Sequence, residues 1–452
     1  MTQVGRILLR SSQTEDTSPD DGILVGRALA MDHGKVIVAR DTARGSRMMS
    51  EAVISGLLFQ GADVIDAGVL SAPALGMCAS RADCAVYVAG RIGRMSGYYL
   101  INPDGGLFRD EQVRHLDLVF QNPPKPPAHD RMGTLSYRDG ITEEYDSRVA
   151  SEFPGGVKCS VVVDCMCGAA SDSLPGILNG MGADVMAINA QKDPDFRPDT
   201  GADGEDGLGS LEDIVEANPG SIGIRVNGIG TALRVVDEIG LPIPPERVFA
   251  LLVMYLKPKS IAITADSPSI IEEVFRGRAA AEVITPHEDP PSDSGELILT
   301  RDSPSAVCDA VAEGAELGYF RGSILFGGNA AIGDGIRAAA AIVQMAGDNS
   351  LHTICEGLPA FMRERREYGC PLKADAFRRA VEESLGPLAD RCTQYGDEFR
   401  IVMDEGWFLL RRKTVRDGDV IEAIAESGDR AYLVGLMEVV GELVDTILRG
   451  RQ

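Results

Sequence analysis

The chain has nine cysteines but no C-x-x-C pair, and only Cys165-Met166-Cys167 brings two of them close together. Structural zinc sites are built from closely spaced ligand pairs, so this pattern excludes one. An odd, scattered set fits reduced thiols packed as small apolar groups. Basic residues are also scarce: 44 Lys and Arg face 68 Asp and Glu, a net charge of −24. Phosphate backbones and anionic membranes need a basic surface, so nucleic acid and membrane are excluded as partners. No apolar run reaches the roughly 18 residues of a membrane span. The opening MTQVGRILLRSSQTED has too short an apolar stretch for a secretion signal, which leaves the cytoplasm as the expected location. The five histidines are dispersed and support no catalytic triad.

With 452 residues the chain is too long for one core, and two to four domains are expected. Gly totals 51 and apolar residues 44%, which suits tight strand–helix turns. Strand patterns at 35–39, 62–66 and 86–89 alternate with a helical pattern over 46–60, where Met49, Val53, Leu57 and Leu58 fall near helical spacing. This order predicts a mostly parallel sheet with crossover helices. The proline-rich QNPPKPPAHD, residues 121–130, reads as a linker. The pattern restarts with strands at 161–164, 183–186 and 222–226. It restarts again with a helix over 244–255 and strands at 260–264 and 282–284, followed by SILFGGNAAIGDGIRAAAAIVQMA. The last segment is α+β: helices near 373–386 and 429–449 flank short strands at 399–403 and 406–410. The predicted units are 1–130, 131–243, 244–357 and 358–452. The fold class is three α/β/α mixed-sheet domains followed by a C-terminal α+β domain.

VYVAGRIGRMSGYYLINPDGG, residues 86–106, reads as a strand entering a glycine-punctuated loop, a common seat for a nucleophile or a phosphate cradle. Between Gly90 and Met95 the only polar side chains are Arg91 and Arg94. Arginine is no nucleophile at a pKa above 12.

Several pieces in one order resemble the α-D-phosphohexomutase superfamily over nearly the whole chain. VGRALAMDHGKVIVARDTARGS is similar to that family's stretch ending G-R-D-T-R-x-S. SGYYLINPDGG is similar to N-G-x-K-x-x-x-x-D-G, and VVVDCMCGAASDSLPGILNGMGADVMAIN to V-V-D-x-x-N-G-x-G with its following strand. GDGIRAAAAIVQMA resembles the end of the third domain. The resemblance implies phosphoryl transfer through a phosphoserine in T-A-S-H-N-P and magnesium on the aspartates of D-G-D-A-D-R. It also implies a sugar loop G-E-x-S-G and a phosphate loop R-P-S-G-T-E-P. Such transfer needs a phosphate carrier, a cation and oriented donors.

Set against these motifs, this sequence departs at each. Arg91 stands where the phosphoserine belongs, and Ser96 is the fallback carrier. Asn227, Ile229 and Thr231 stand at the metal positions, followed by Ala232 in place of arginine. Gly318-Tyr319-Phe320-Arg321-Gly322-Ser323 replaces the sugar loop. Arg411-Arg412-Lys413-Thr414-Val415-Arg416 replaces the phosphate loop, and Arg10–Glu15 an N-terminal phosphate loop. Cys167 replaces the Asn of the second-domain turn.

Arg91, Arg94, Arg411, Arg412, Lys413 and Arg416 are candidate anion-binding residues. The alternative is solvated loop residues and a charged hairpin face paired with Asp404, Glu405, Asp417 and Asp419. Asp41 and Arg44 read as structural, and Asp164 as the cap of the turn after its strand. GGNAAIGDG, residues 327–335, is explained by the scaffold. The expectation is a phosphohexomutase-like protein without catalysis or cofactor, with a binding, scaffolding or regulatory role in sugar-phosphate metabolism. Its ligand would be a phosphosugar or other anion. Its partner would be a second copy, an active mutase or another sugar-nucleotide enzyme. The alternative is an active mutase using Ser96 and magnesium held by the acidic loop 199–206.

Overall fold

The computed structural model describes residues 18–449, apart from 93–94, 122–124, 126, 154, 197–208, 279–294, 329–331 and 416–417. Arg10–Glu15, the acidic loop 199–206 and the strand expected at 282–284 lie outside the described residues.

The first unit runs α1 (Pro19–Leu29), β1 (Lys35–Arg40), α2 (Arg44–Gln60), β2 (Asp63–Val69), α3 (Ala72–Cys78), β3 (Cys84–Ile92), β4 (Met95–Ile101), α4 (Asp110–Gln121) and β5 (Leu135–Tyr137). Helix α1 opens on a capping box: the Asp21 amide donates to the Ser18 hydroxyl and the Ser18 amide to the Asp21 carboxylate, with Pro19 in the first turn. The sheet order is β4-β3-β1-β2-β5, with β1, β2, β3 and β5 parallel and β4 antiparallel. Period-two alternation splits β1 between two cores. Val36 and Val38 pack with Val53 and Leu57 beneath the α1–α2 layer, while Ile37 and Ala39 join the large core on the opposite face. Strand β5 carries this sheet past residue 130, so the first unit does not end at the proline-rich stretch. All three of its residues are exposed, and without an apolar alternation it leaves no strand signal.

The second unit has α5 (Ile141–Glu152), β6 (Ser160–Asp164), α6 (Leu174–Gly180), β7 (Asp184–Ile188), α7 (Gly209–Ala217), β8 (Ser221–Val226), β9 (Leu233–Val236) and β10 (Pro242–Ile243), in sheet order β10-β9-β8-β6-β7. The third has α8 (Pro245–Leu256), β11 (Ser260–Thr264), α9 (Ser269–Phe275), β12 (Glu296–Thr300), α10 (Pro304–Ala312), β13 (Leu317–Phe320), β14 (Ser323–Phe326), α11 (Gly335–Ala346) and α12 (Leu351–Gly357), in order β12-β11-β13-β14. One continuous core links these three units: Ile37, Val163, Ile224, Ile263 and the buried face of α11 belong to the same cluster.

The fourth unit has β15 (Met362–Gly369), α13 (Ala374–Ser384), β16 (Cys392–Tyr395), β17 (Glu398–Met403), β18 (Gly406–Val415), β19 (Gly418–Ser427) and α14 (Arg430–Arg449). The two short strands expected here belong to a five-stranded antiparallel sheet, β15-β19-β18-β17-β16. Edge strand β15 reads Met-Arg-Glu-Arg-Arg-Glu-Tyr-Gly, charged at most positions and largely exposed. Charge protects a sheet edge but erases the apolar alternation that reveals a strand. One sheet face packs Phe377 and Phe399 with Met437 of α14; the other turns Trp407, Leu409 and Ile424 onto Ala265 of the third unit.

Candidate functional site

Strand continues into the stretch expected to be an open glycine loop, on both sides of residues 93–94. β3 runs on to Ile92, which pairs with Met95 of β4 after a register shift between Ala89 and Ile92. Arg91 therefore lies on β3. Its side chain, that of Ser96 and the whole of Arg94 lie outside the described residues. Asp41, buried just after β1, fastens this strand to the start of α2. Its Oδ2 accepts the Gly90 amide at 2.8 Å, and its Oδ1 accepts the Ala43 amide at 3.0 Å and the Ser46 hydroxyl. A side chain at 90 has no room: a Cβ there would lie 2.5 Å from Ser46 Oγ and 2.6 Å from Ala43 Cβ. Asp41 is structural, as expected, and Arg44 forms an exposed ion pair with Asp195 of the second unit.

The second unit brings two turns together. Asp164 caps its turn as expected, accepting the Met166 amide at 2.9 Å and the Asn189 Nδ2 at 3.0 Å. Met166 and Cys167 both take positive φ, 49° and 50°, which glycine or asparagine adopts more readily. Thr42 Oγ1 donates to the Cys167 carbonyl at 3.2 Å, joining the first unit to this turn. The second turn holds the metal positions. Asn227 Oδ1 accepts the Thr231 amide at 2.8 Å and the Ala232 amide at 3.3 Å, while its Nδ2 donates to Thr231 Oγ1 at 3.0 Å. Ile229 is buried. Magnesium is held by hard, usually anionic oxygens. Here one amide and one hydroxyl satisfy each other and the third position is hydrocarbon, so these residues do not fit the ion. Among the described residues, no group of three or more His, Cys, Asp or Glu could hold a metal.

This turn is also where three units meet. The Ala72 amide donates to the Ile229 carbonyl at 2.8 Å, the Gly335 amide to the Gly230 carbonyl at 2.9 Å, and Ala232 bridges to Ser323. The sugar-loop position is a two-residue hairpin turn between β13 and β14, with φ of 45° at Arg321 and 88° at Gly322. Arg321 pairs with Asp302 at 2.5 Å. Beside it, a cavity of about 280 Å³ lies between the third and fourth units, lined by Arg247, Arg321, Arg363, Tyr319, Glu246 and Asp266 among others.

The basic cluster divides. Arg411, 5% exposed, faces carboxylates from two units. It reaches Asp266 at 3.2 Å, Asp302 at 2.8 Å and Glu398 at 3.8 Å, and it also binds Glu422. Arg412 pairs with Asp419, as a charged hairpin face requires, and donates to the Leu372 carbonyl at 2.9 Å. Lys413 lies 3.5 Å from Glu422. Arg416 lies outside the described residues. Glu398 and Glu422 face Arg411 across the neighbouring strands β17 and β19, whereas sequence spacing gives no sign of Asp266 or Asp302, which come from the third unit.

Burial raises Asp266, but Arg411, a Thr264 hydrogen bond and nearby arginines outweigh it and hold the carboxyl below its usual value. Asp302, though closer to Arg411, is pushed up by burial and by Asp266. Burial pushes Glu398 up to about 7, against the Asp302 amide and Arg411, which lower it. The folded protein thus holds the Glu398 proton more tightly than the unfolded chain. Its contribution to stability is full below the ordinary value of 4.5 and is lost as pH rises through about 7. Urea midpoints measured from pH 4.5 to 7 are expected to fall less steeply in Glu398→Gln than in the wild type; identical slopes would refute this assignment.

The family model for phosphoglucomutase/phosphomannomutase, alpha/beta/alpha domain I, matches residues 11–120. A probable phosphoglucosamine mutase of Methanococcoides burtonii is 25% identical over 433 residues, covering 94% of this chain and 95% of the relative. The chain is thus similar, along almost its whole length, to proteins named as phosphohexose mutases. A phosphoglucomutase/phosphomannomutase of Thermococcus kodakarensis is 25% identical over 471 residues, covering 99% of each chain. The fold is shared with solved structures as well. The crystal structure of a phosphoglucomutase/phosphomannomutase family protein from Burkholderia thailandensis superposes with a TM-score of 0.78 at 18% identity, covering 99% of this chain and 98% of that one. The open form of Paramecium parafusin superposes at 0.69 with 10% identity, covering 98% of each. None of the nine cysteines forms a disulfide, and burial pushes Cys78 and Cys159 up to about 11. No described helix is long and apolar enough to cross a membrane.

Proposed function

We propose that this chain is a phosphohexomutase-superfamily protein that binds in the old cleft without transferring phosphoryl groups, in a role linked to sugar-phosphate metabolism. The carrying observation is the turn at 227–231, where Asn227 and Thr231 spend their polar atoms on each other around a buried Ile229. Arginine at the nucleophile position supports the same reading. The cavity beside Arg321 and Arg363 offers guanidinium groups to a phosphosugar or another small anion. Purified protein given glucose, mannose and glucosamine phosphates, magnesium and a bisphosphate activator is expected to show no isomerisation. Turnover above a heat-killed control overturns the reading. In its scaffold form, the reading pairs the chain with an active mutase or another sugar-nucleotide enzyme, and co-purification from the native source tests that form.

The names of the relatives favour a second reading, an active mutase with displaced residues, because those relatives match along almost the whole chain. Magnesium would then raise the melting temperature, whereas the first reading expects no shift. Cytoplasmic residence suits both readings.

A further inference from the structure

Beyond Arg411, the boundary between the third and fourth units is tied by polar contacts at several points. The Ser269 amide donates to Glu426 Oε1 at 2.6 Å, and the Asp302 amide to Glu398 Oε1 at 2.9 Å. Ser269 is the first residue of α9, so its amide has no acceptor within the helix. Trp407 Nε1 donates to Ser269 Oγ at 2.8 Å, Arg363 donates to the Asp266 carbonyl, and Arg400 lies 3.5 Å from Glu272. The guanidinium groups of Arg400 and Arg363 sit over the Trp407 ring at 4.6 and 5.4 Å. Trp407 itself is 3% exposed and packs on Ala265.

We propose that the fourth unit is a latched lid, held closed on the third by Arg411 and its carboxylates with no ligand required. Units that swing apart freely meet through wet, loosely paired surfaces. This boundary instead buries an arginine between carboxylates of both units. Opening would take Arg411 from Asp266 and Asp302, expose Trp407 and strip two third-unit amides of their acceptors. An anion entering the cleft from this side would have to compete with Asp266 and Asp302 for the Arg411 guanidinium, so the latch acts as an autoinhibitory contact. The inference concerns closure alone and stands whether or not the chain transfers phosphoryl groups.

Two readouts on the ligand-free, full-length protein test it. Hydrogen–deuterium exchange of peptides containing Ser269 and Asp302 is expected to show protection of at least ~100-fold over the unfolded chain. Trp407 is the single tryptophan of the sequence, so acrylamide quenching reports on the same boundary, and the wild type is expected to resist it. Arg411→Met is expected to lose at least ~10-fold protection at both amides and to quench more readily, while a β11 peptide stays protected and reports an intact third unit. Should Arg411→Met also lose β11 protection, the wild-type measurements decide. Loop-like exchange at Ser269 and Asp302, or ready quenching of Trp407, in the ligand-free wild type overturns the latch. So does unchanged protection in a folded Arg411→Met.

Discussion

Asp164→Ala is expected to cost about 3–5 kcal/mol of stability, because it takes the carboxylate from a buried guanidinium. Asp164 is 1% exposed, Arg225 is 6% exposed, and Asp164 Oδ2 lies 2.8 Å from both Nε and a terminal nitrogen of Arg225. The second carboxylate oxygen holds the Met166 amide and Asn189, which shape the turn carrying Cys167. The residue therefore ties β6 to β8 and sets the turn that Thr42 reads from the first unit. Asp164→Asn keeps an oxygen for the turn and is expected to recover part of the loss. Urea unfolding followed by circular dichroism measures both variants. A loss within 1 kcal/mol for the alanine variant, the scale of an exposed ion pair, would contradict the buried pairing.

Gly168→Ala is expected to cost about 3 kcal/mol, the upper end for overpacking, and to loosen the turn at 227–231. A Cβ at 168 would lie 2.4 Å from Gly228 Cα and 2.5 Å from its carbonyl oxygen. Backbone cannot rotate aside as a side chain can, so the two turns must separate. Gly176 in α6 supplies the control: a Cβ there meets nothing within 4 Å, and Gly176→Ala is expected to be neutral or to stabilise by about 0.5–1 kcal/mol. Equal melting temperatures for the two variants would show that the turns do not depend on this contact.

Much of the fold was legible because it rests on local patterning. The apolar strands at 36–39, 161–163 and 261–263 announce themselves, as does the helical spacing of Met49, Val53 and Leu57. Other elements carry no such signal. Strand β5 is fully exposed and β15 is charged, so both are fixed by pairing with distant strands that local sequence cannot reveal. Helix α1 was not among the expected elements, and its capping box at Ser18 and Asp21 is a finding of the structure. In the candidate site, the identities at 91, 227, 229 and 231 were readable by position. What they do was not: Asn227 and Thr231 bond to each other, and the β3 strand continues where a loop was expected. Arg411 shows the limit most clearly. Its near neighbours in sequence suggested a charged hairpin, which holds for Arg412 and Asp419. Its own partners Asp266 and Asp302 lie more than a hundred residues away, brought together only by the packing of the fourth unit on the third.

The central claim is that the nucleophile and metal positions no longer support phosphoryl transfer. Intact-mass measurement after incubation with a hexose bisphosphate and magnesium tests it most directly, with peptide mapping of residues 84–101. The account predicts an unchanged mass and an unmodified Ser96. A protein heavier by one phosphoryl group, carried on Ser96, would contradict it.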